Sequence, residues 1–404
     1  MTRGFVVFGL LFAGTVVAIV LAFRFGLPLR ALVPPAGTFI GAESDAAFDP
    51  MRADLFSGAK QRVVPFQMLY PAMAAGKTAA YVPDAGPVIA AIAHSHGWPA
   101  RFALGQLGRL PAPWTDAAQP APGGPFAVIL YLPGVTGYMQ MGSFQTSALA
   151  AQGFVVVTLN QPGAVAAAVL PDGQVVPGLT LATAPALIAP SYLATSAALP
   201  QDFASALAPA TSIVPYFAAD VPLVLDRLAQ INADPLHRLH GLLDLDHIGV
   251  MGMSLGAVVA AQACALEPRI GACLMMDAPV PTQVALTGLR QPALWISRPA
   301  EDQRLERAAS GGWPEDEIAA QAETIAETVA NSDHATLVLL PGLFHVDFTD
   351  LPAIAPVFGW LGQSGPTGAA EAHGRINLLA EEFFARSIGP APKIFRTKNF
   401  GLPP

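Results

Sequence analysis

HIGVMGMSLGAVVAAQACALEP, residues His247–Pro268, is the stretch on which the reading of the chain turns. HIGVM is a short apolar run of strand type, and AVVAAQACALEP has the composition of a helix. Between them Gly252-Met253-Ser254-Leu255-Gly256 fits the G-x-S-x-G turn that holds a serine hydroxyl clear of a sheet. Strand and helix approach so closely at such a turn that a Cβ at either glycine would clash. In a chain with 37 glycines the five-residue pattern arises by chance in roughly one case in ten, so its weight comes from the strand before it and the helix after it.

The same grammar extends in both directions. FAVILYLP (Phe126–Pro133) and FVVVTLNQP (Phe154–Pro162) read as buried strands, and GSFQTSALAAQG between them as a helix ending at a glycine. GACLMMD (Gly271–Asp277), PALWIS (Pro292–Ser297) and ATLVLLPG (Ala335–Gly342) continue the series. Continuous β-branched runs separated by helices predict a mostly parallel sheet flanked by helices, an α/β architecture. RVVPFQMLYPA (Arg62–Ala72) reads as the entering strand and Tyr216–Ala233 as an amphipathic helix. Residues 81–124 show no clear period and read as a surface excursion. Residues 170–215, rich in Ala, Pro, Ser and Leu, read as an insertion able to form a cap or a loose loop.

Composition bounds the function. With 12% charged residues and a formal net charge of −8, the chain has no basic stripe for neutralising phosphates, which excludes nucleic acid as a partner. Cys264 and Cys273 are too few for a disulfide framework or a zinc site and read as buried thiols. The apolar run Gly4–Phe23, flanked by Arg3, Arg24 and Arg30, is long enough to span a bilayer at about 1.5 Å per residue. It has no convincing cleavage site, so residues 1–26 read as an uncleaved membrane anchor or signal segment, with the remainder placed outside the cytoplasm. Residues 27–50 then read as linker, 51–390 as the catalytic domain and 391–404 as a tail.

A serine hydroxyl needs a general base, and that base a carboxylate to orient it. Among eight histidines, His345 in PGLFHVDFTD directly follows the last expected strand, where loops at the carboxyl edge of a parallel sheet converge. His334 and His373 are less well placed, and His94 and His96 fall in the excursion, where an exposed or structural role is expected. Two carboxylates compete: Asp277 at the end of GACLMMD, and Asp302 in the loop after PALWIS. For the oxyanion, Leu255 supplies one backbone N–H and the loop LPGVTGYM (Leu132–Met139) the other, with Val135 favoured because Gly134 and Gly137 let the backbone fold close.

MLYPA, FAVILYLPGVTG, LAAQGFVVVTLNQPG, LDLDHIGVMGMSLGA and GLFHVDFTD together resemble the platelet-activating factor acetylhydrolases of the plasma or type II kind and their bacterial relatives, over Arg62 to about Pro390. The resemblance implies an α/β-hydrolase fold, a Ser-Asp-His triad at Ser254, Asp277 and His345, oxyanion amides at Val135 and Leu255, and hydrolysis of short or oxidised acyl esters without a metal. The chain departs from that family at Pro133-Gly134 (usually His-Gly), at Met253 (usually His) and at Gly256-Ala257 (usually Gly-Gly). None of these removes a catalytic group, but they leave polyester and small-molecule esters open as substrates. The expectation is a serine esterase or lipase working on a small-molecule or lipid ester through an acyl-enzyme, without a cofactor. An amidase or peptidase of the same fold, and a silent hydrolase-fold binding protein, are the alternatives.

Overall fold

The apolar runs become the strands of one ten-stranded sheet in the computed structural model of the protein, which describes residues 26–193 and 212–389. Its strands are β1 (Phe39–Asp49), β2 (Arg62–Ala72), β3 (Lys77–Ala80), β4 (Pro111–Asp116), β5 (Phe126–Leu132), β6 (Val155–Leu159), β9 (Leu243–Met253), β10 (Ile270–Met276), β11 (Ala293–Ser297) and β12 (Ala335–Leu339). The spatial order is β12-β11-β10-β9-β5-β6-β2-β1-β4-β3. From β6 through β12 every neighbouring pair is parallel. β2 joins β6, and β1 joins β2, antiparallel. A separate hairpin pairs β7 (Ala167–Val169) with β8 (Val175–Pro177).

Period-two alternation sends the side chains of each central strand into two cores. Val128, Leu130 and Val250 pack on one face, and Ile129, Tyr131 and Met251 on the other, all fully buried. Burying each such aliphatic side chain contributes about 1.5–3 kcal/mol, which is why these runs cannot serve as surface loops. The helices that cover the sheet include α1 (Ala85–His96), α2 (Trp98–Ala103), α3 (Ser143–Ala151), α4 (Ala184–Ile188), α5 (Val214–Ala218), α6 (Asp220–Ala233) and α7 (Leu255–Leu266). After them come α8 (Thr282–Thr287), α9 (Ala300–Ser310), α10 (Glu315–Ala330), α11 (Leu351–Ile354), α12 (Val357–Trp360) and α13 (Ala369–Ser387).

Several expectations are corrected. The stretch 27–50, read as linker, contains β1, which pairs with β2 along its whole length, so the folded domain begins well before residue 51. Its sequence, FIGAESDAAFD, hides the strand because one glycine and three acidic residues break up the apolar alternation. The excursion 81–124 is structured, holding α1, α2 and β4. The helix expected over Tyr216–Ala233 is divided at Ala219 into α5 and α6.

Cys264 on α7 and Cys273 on β10 form a disulfide. β10 packs against α7 with the two Cα atoms 6.5 Å apart, within bridging reach, a proximity that spacing in the sequence does not reveal. The proposed anchor (residues 1–25), the tail 391–404 and residues 194–211 of the insertion lie outside the described residues. Among the described residues no helix is long and apolar enough to cross a membrane.

Candidate active site

Ser254 stands between β9 and α7 with φ 56° and ψ −126°, a conformation that a non-glycine residue adopts only when its surroundings impose it. The imposition is visible. The Ser254 amide donates to Met276 O at 3.0 Å, and its carbonyl accepts from the amides of Ala257 (2.9 Å) and Val258 (3.2 Å). A Cβ on Gly252 would sit 2.1 Å from Gly256 O, and one on Gly256 would sit 1.9 Å from Leu132 O. Both glycines of the motif are therefore required by close approach of backbone to backbone, as the sequence reading expects.

Asp277 directly follows β10 and is also held at positive φ, 49°. Its carboxylate lies 2.6 Å from Nδ1 of His345, 68 residues later in the chain. The carboxylate is buried, and Nε of Arg298, itself buried, donates to it at 2.9 Å. Burial by itself would raise the Asp277 pKa, but the Arg298 charge and the His345 hydrogen bond outweigh it and hold the group at about 2. Arg298 also donates to Glu306 on α9, and Glu306 in turn accepts the backbone N–H of His345 at 3.1 Å. The ring of Trp313 lies 5.0 Å from that of His345 and under the Arg298 guanidinium. His345 is thus gripped at its ring, by Asp277, and at its backbone, by Glu306, and both grips meet at Arg298.

Asp302, the competing carboxylate, points elsewhere: its Oδ2 accepts the Gly342 amide at 2.8 Å, fastening the loop that precedes His345. Asp347 does similar work after it, accepting the amides of Phe344 and Gly365 at 2.7 Å each. His373 is buried, stacked on Phe144 and bonded to Thr349 O, a structural setting. His94 borders a different hollow, beside the β7–β8 hairpin, and His334 receives the Ala293 amide at its backbone carbonyl.

Ser254 and His345 open onto one cleft of about 510 Å³. Gly134 packs on the serine: a Cβ there would lie 3.0 Å from the Cβ of Ser254. Val135 lines the same cleft, and Leu255 opens α7 directly behind the serine. The far wall is built by the supposed excursion, with Ile92, His96, Ala100 and Phe102 among its residues. No described residue of the 170–215 insertion lines the cleft. Leu179, Leu187 and Tyr192 pack instead into the main core.

His96, for which an exposed or structural role is expected from the sequence, keeps such a role while also lining the cleft. Its Nε2 shares a 3.0 Å hydrogen bond with Thr136 Oγ1, and although the side chain keeps an exposed face, partial desolvation against the cleft wall lowers its pKa. Thr136 follows Val135 and has φ 57°, so His96 fastens the strained loop beside the serine. A signal existed, because Val88, Ile92 and His96 recur every four residues along one face of α1.

A serine on a strained strand-to-helix turn, with a histidine and an aspartate arriving on later loops of a mostly parallel sheet, defines the α/β-hydrolase fold, which this chain has. It is similar to a solved ferulic acid esterase from Streptomyces cinnamoneus, with a TM-score of 0.65 and 22% identity over 91% of this chain and 96% of the other. No protein-family model matches the chain, and no curated protein matches it.

Proposed function

We propose that the protein is a serine hydrolase of carboxylic esters, with Ser254 as nucleophile, His345 as general base and acid, and Asp277 as the carboxylate that orients the imidazole. The observation that carries this reading is the 2.6 Å contact of Asp277 with His345 Nδ1, made on the cleft where the strained Ser254 stands. With Nδ1–H donating to Asp277, Nε2 is the free basic nitrogen. It takes the Ser254 proton as Oγ attacks the ester carbonyl carbon. The tetrahedral oxyanion is received by the amides of Val135 and Leu255. Collapse breaks the bond to the alcohol, which leaves with the proton from His345. Water, activated by the same imidazole, then adds to the acyl-enzyme and releases the acid.

The cleft supports an ester with an apolar acid portion. Its size falls within the range of small-molecule pockets, and Ile92, Phe102, Met141, Val346 and Phe358 line it. Such a site suits a short acyl chain, as in the acetylhydrolases that the motifs resemble, and also an aromatic acid, as the name of the similar ferulic acid esterase suggests. The Cys264–Cys273 disulfide and the apolar run Gly4–Phe23 support placing the enzyme outside the cytoplasm, attached to a membrane.

Two measurements on the full chain test the reading. A fluorophosphonate labels wild type within minutes and leaves Ser254→Ala unlabelled. The same variant loses about 10⁴-fold or more of kcat/KM across p-nitrophenyl esters from acetate to palmitate. Equal labelling and equal rates in the two proteins would overturn the mechanism, and faster turnover of a matched amide than of the ester would move the substrate to amides.

A further inference from the structure

The cleft opens beside the point at which the chain enters the described domain. Leu27 is one of its lining residues. The Leu27 amide donates to Phe102 O at 3.1 Å and the Arg30 amide to Ile354 O at 2.7 Å, so residues 27–30 run between α2 and α11. Gly26 is held just as closely: Gln106 donates to its carbonyl, and a Cβ on it would lie 2.9 Å from Phe102 O. Only Arg24 and Phe25 separate this fixed point from Phe23, where the apolar run Gly4–Phe23 ends. Four residue steps from Phe23 to Leu27 reach about 14 Å at full extension. The polar layer on one side of a bilayer is roughly 5–8 Å deep, so the cleft lip stays within reach of hydrocarbon wherever that run is embedded.

Large apolar side chains stand exposed next to the cleft-lining residues Pro99 and Leu361. Trp98, the first residue of α2, is 68% exposed, Trp360, the last of α12, is 84% exposed, and the adjoining cleft residue Leu361 is 63% exposed. Arg101, on α2 with Trp98, and Arg30, whose amide bonds the end of α11, are both exposed. Tryptophan with nearby arginine is the composition of a protein surface at lipid headgroup level, where the indole body meets acyl chains and the cation meets phosphate.

We propose that this rim, with Trp98, Trp360 and Leu361 at its edge, rests on the lipid bilayer that holds the N-terminal run, so that the cleft opens onto the membrane and draws lipid-dissolved esters from it. The choice of ester rests on the hydrolase reading above, while the orientation does not. The rim acts as a docking surface whose occupant is a lipid surface, and it lies on the side of the cleft where Leu27 and Arg30 are fastened.

Full-length protein is reconstituted into phosphatidylcholine vesicles made with or without brominated acyl chains, and its tryptophan fluorescence is compared. Of the five tryptophans, Trp114 and Trp295 are buried in the core and Trp313 packs on His345. Quenching is therefore expected to come from Trp98 and Trp360, and W98F/W360F, which keeps an apolar ring at both positions, is expected to lose at least half of it. Failure of the full chain to float with the vesicles, absence of quenching in wild type, or equal quenching in the variant would each overturn the orientation. The readout needs no turnover, so a protein that is quenched as expected but hydrolyses no ester would strike the hydrolase reading alone.

Discussion

Two buried arginine–aspartate pairs sit in the same sheet with four strands between them, one beside β11 and one beside β2. At β2, Arg62 grips Asp220 through Nε (3.1 Å) and Nη2 (2.6 Å), while Arg52 and Gln161 take the remaining lone pairs of the carboxylate. Asp54 completes the shell around Arg62, whose charge is strengthened by Asp220 against the penalty of burial. At β11, Arg298 gives Asp277 one nitrogen only, and the other side of that carboxylate is left for His345. The first site is closed on itself and can only hold structure together. The second is built from the same parts, but with one acceptor turned toward a titratable ring on a cleft.

The comparison is most easily broken at Asp277. Asp277→Asn, which keeps shape and removes the charge that orients the imidazole in the proposed mechanism, is expected to lower kcat/KM on a p-nitrophenyl ester by roughly 10⁴-fold while costing only about 2 kcal/mol of stability at neutral pH. Asp302→Ala is expected to cost less than about tenfold, through a loosened Gly342 loop. The reverse order would move the acid role to Asp302. Asp220→Ala is expected to do the opposite of Asp277→Asn, leaving Arg62 charged and unpaired in the core. That costs about 3–5 kcal/mol of unfolding free energy, measured by urea titration. An unchanged urea midpoint would mean that the Arg62 cluster is not structural.

Arg298 sharpens the contrast further. Arg298→Met removes the common anchor of Asp277 and Glu306, so His345 loses register at ring and backbone together. A fall in kcat of about 10- to 100-fold with little change in KM is expected, because misplacing the general base of the proposed mechanism acts on the chemical step. A change confined to KM would make Arg298 a substrate-side residue instead.

The smallest effect concerns pH. Asp277 is held at about 2 in the folded protein against an ordinary value of 3.8, so the folded state binds its proton more weakly than the unfolded chain does. The stability this contributes is present above about pH 4, is lost as pH falls through about 2, and amounts to about 2 kcal/mol. Wild-type stability minus that of Asp277→Asn should shrink by this amount over that window. A difference independent of pH would show that Arg298 does not hold the carboxylate ionised.

Much of the parallel half of the sheet was legible because its strands are continuous apolar runs whose type is set within seven or eight residues. β1 was not, since its pattern is interrupted by Gly41, Glu43 and Asp45, and its strand character depends on the partner β2. α1 and α2 were hidden for a related reason: alanine, glycine and proline give little periodic contrast, although Val88, Ile92 and His96 do fall on one face. The disulfide was misread because nothing local says that the end of α7 faces β10.

By itself the sequence determined the serine elbow, its strand and its helix, since Gly252, Ser254 and Gly256 meet their constraints within one turn of chain. It narrowed the candidate base to His345 and the candidate acid to two aspartates, between which only the family resemblance favoured Asp277. Only the tertiary structure decided that Asp277 reaches His345, that Asp302 ties a loop, and that Arg298, Glu306 and His96 belong around the site. The reason is range: a turn is fixed by sterics between neighbours, whereas a hydrogen bond across 68 residues exists only after the whole sheet has set where each strand ends.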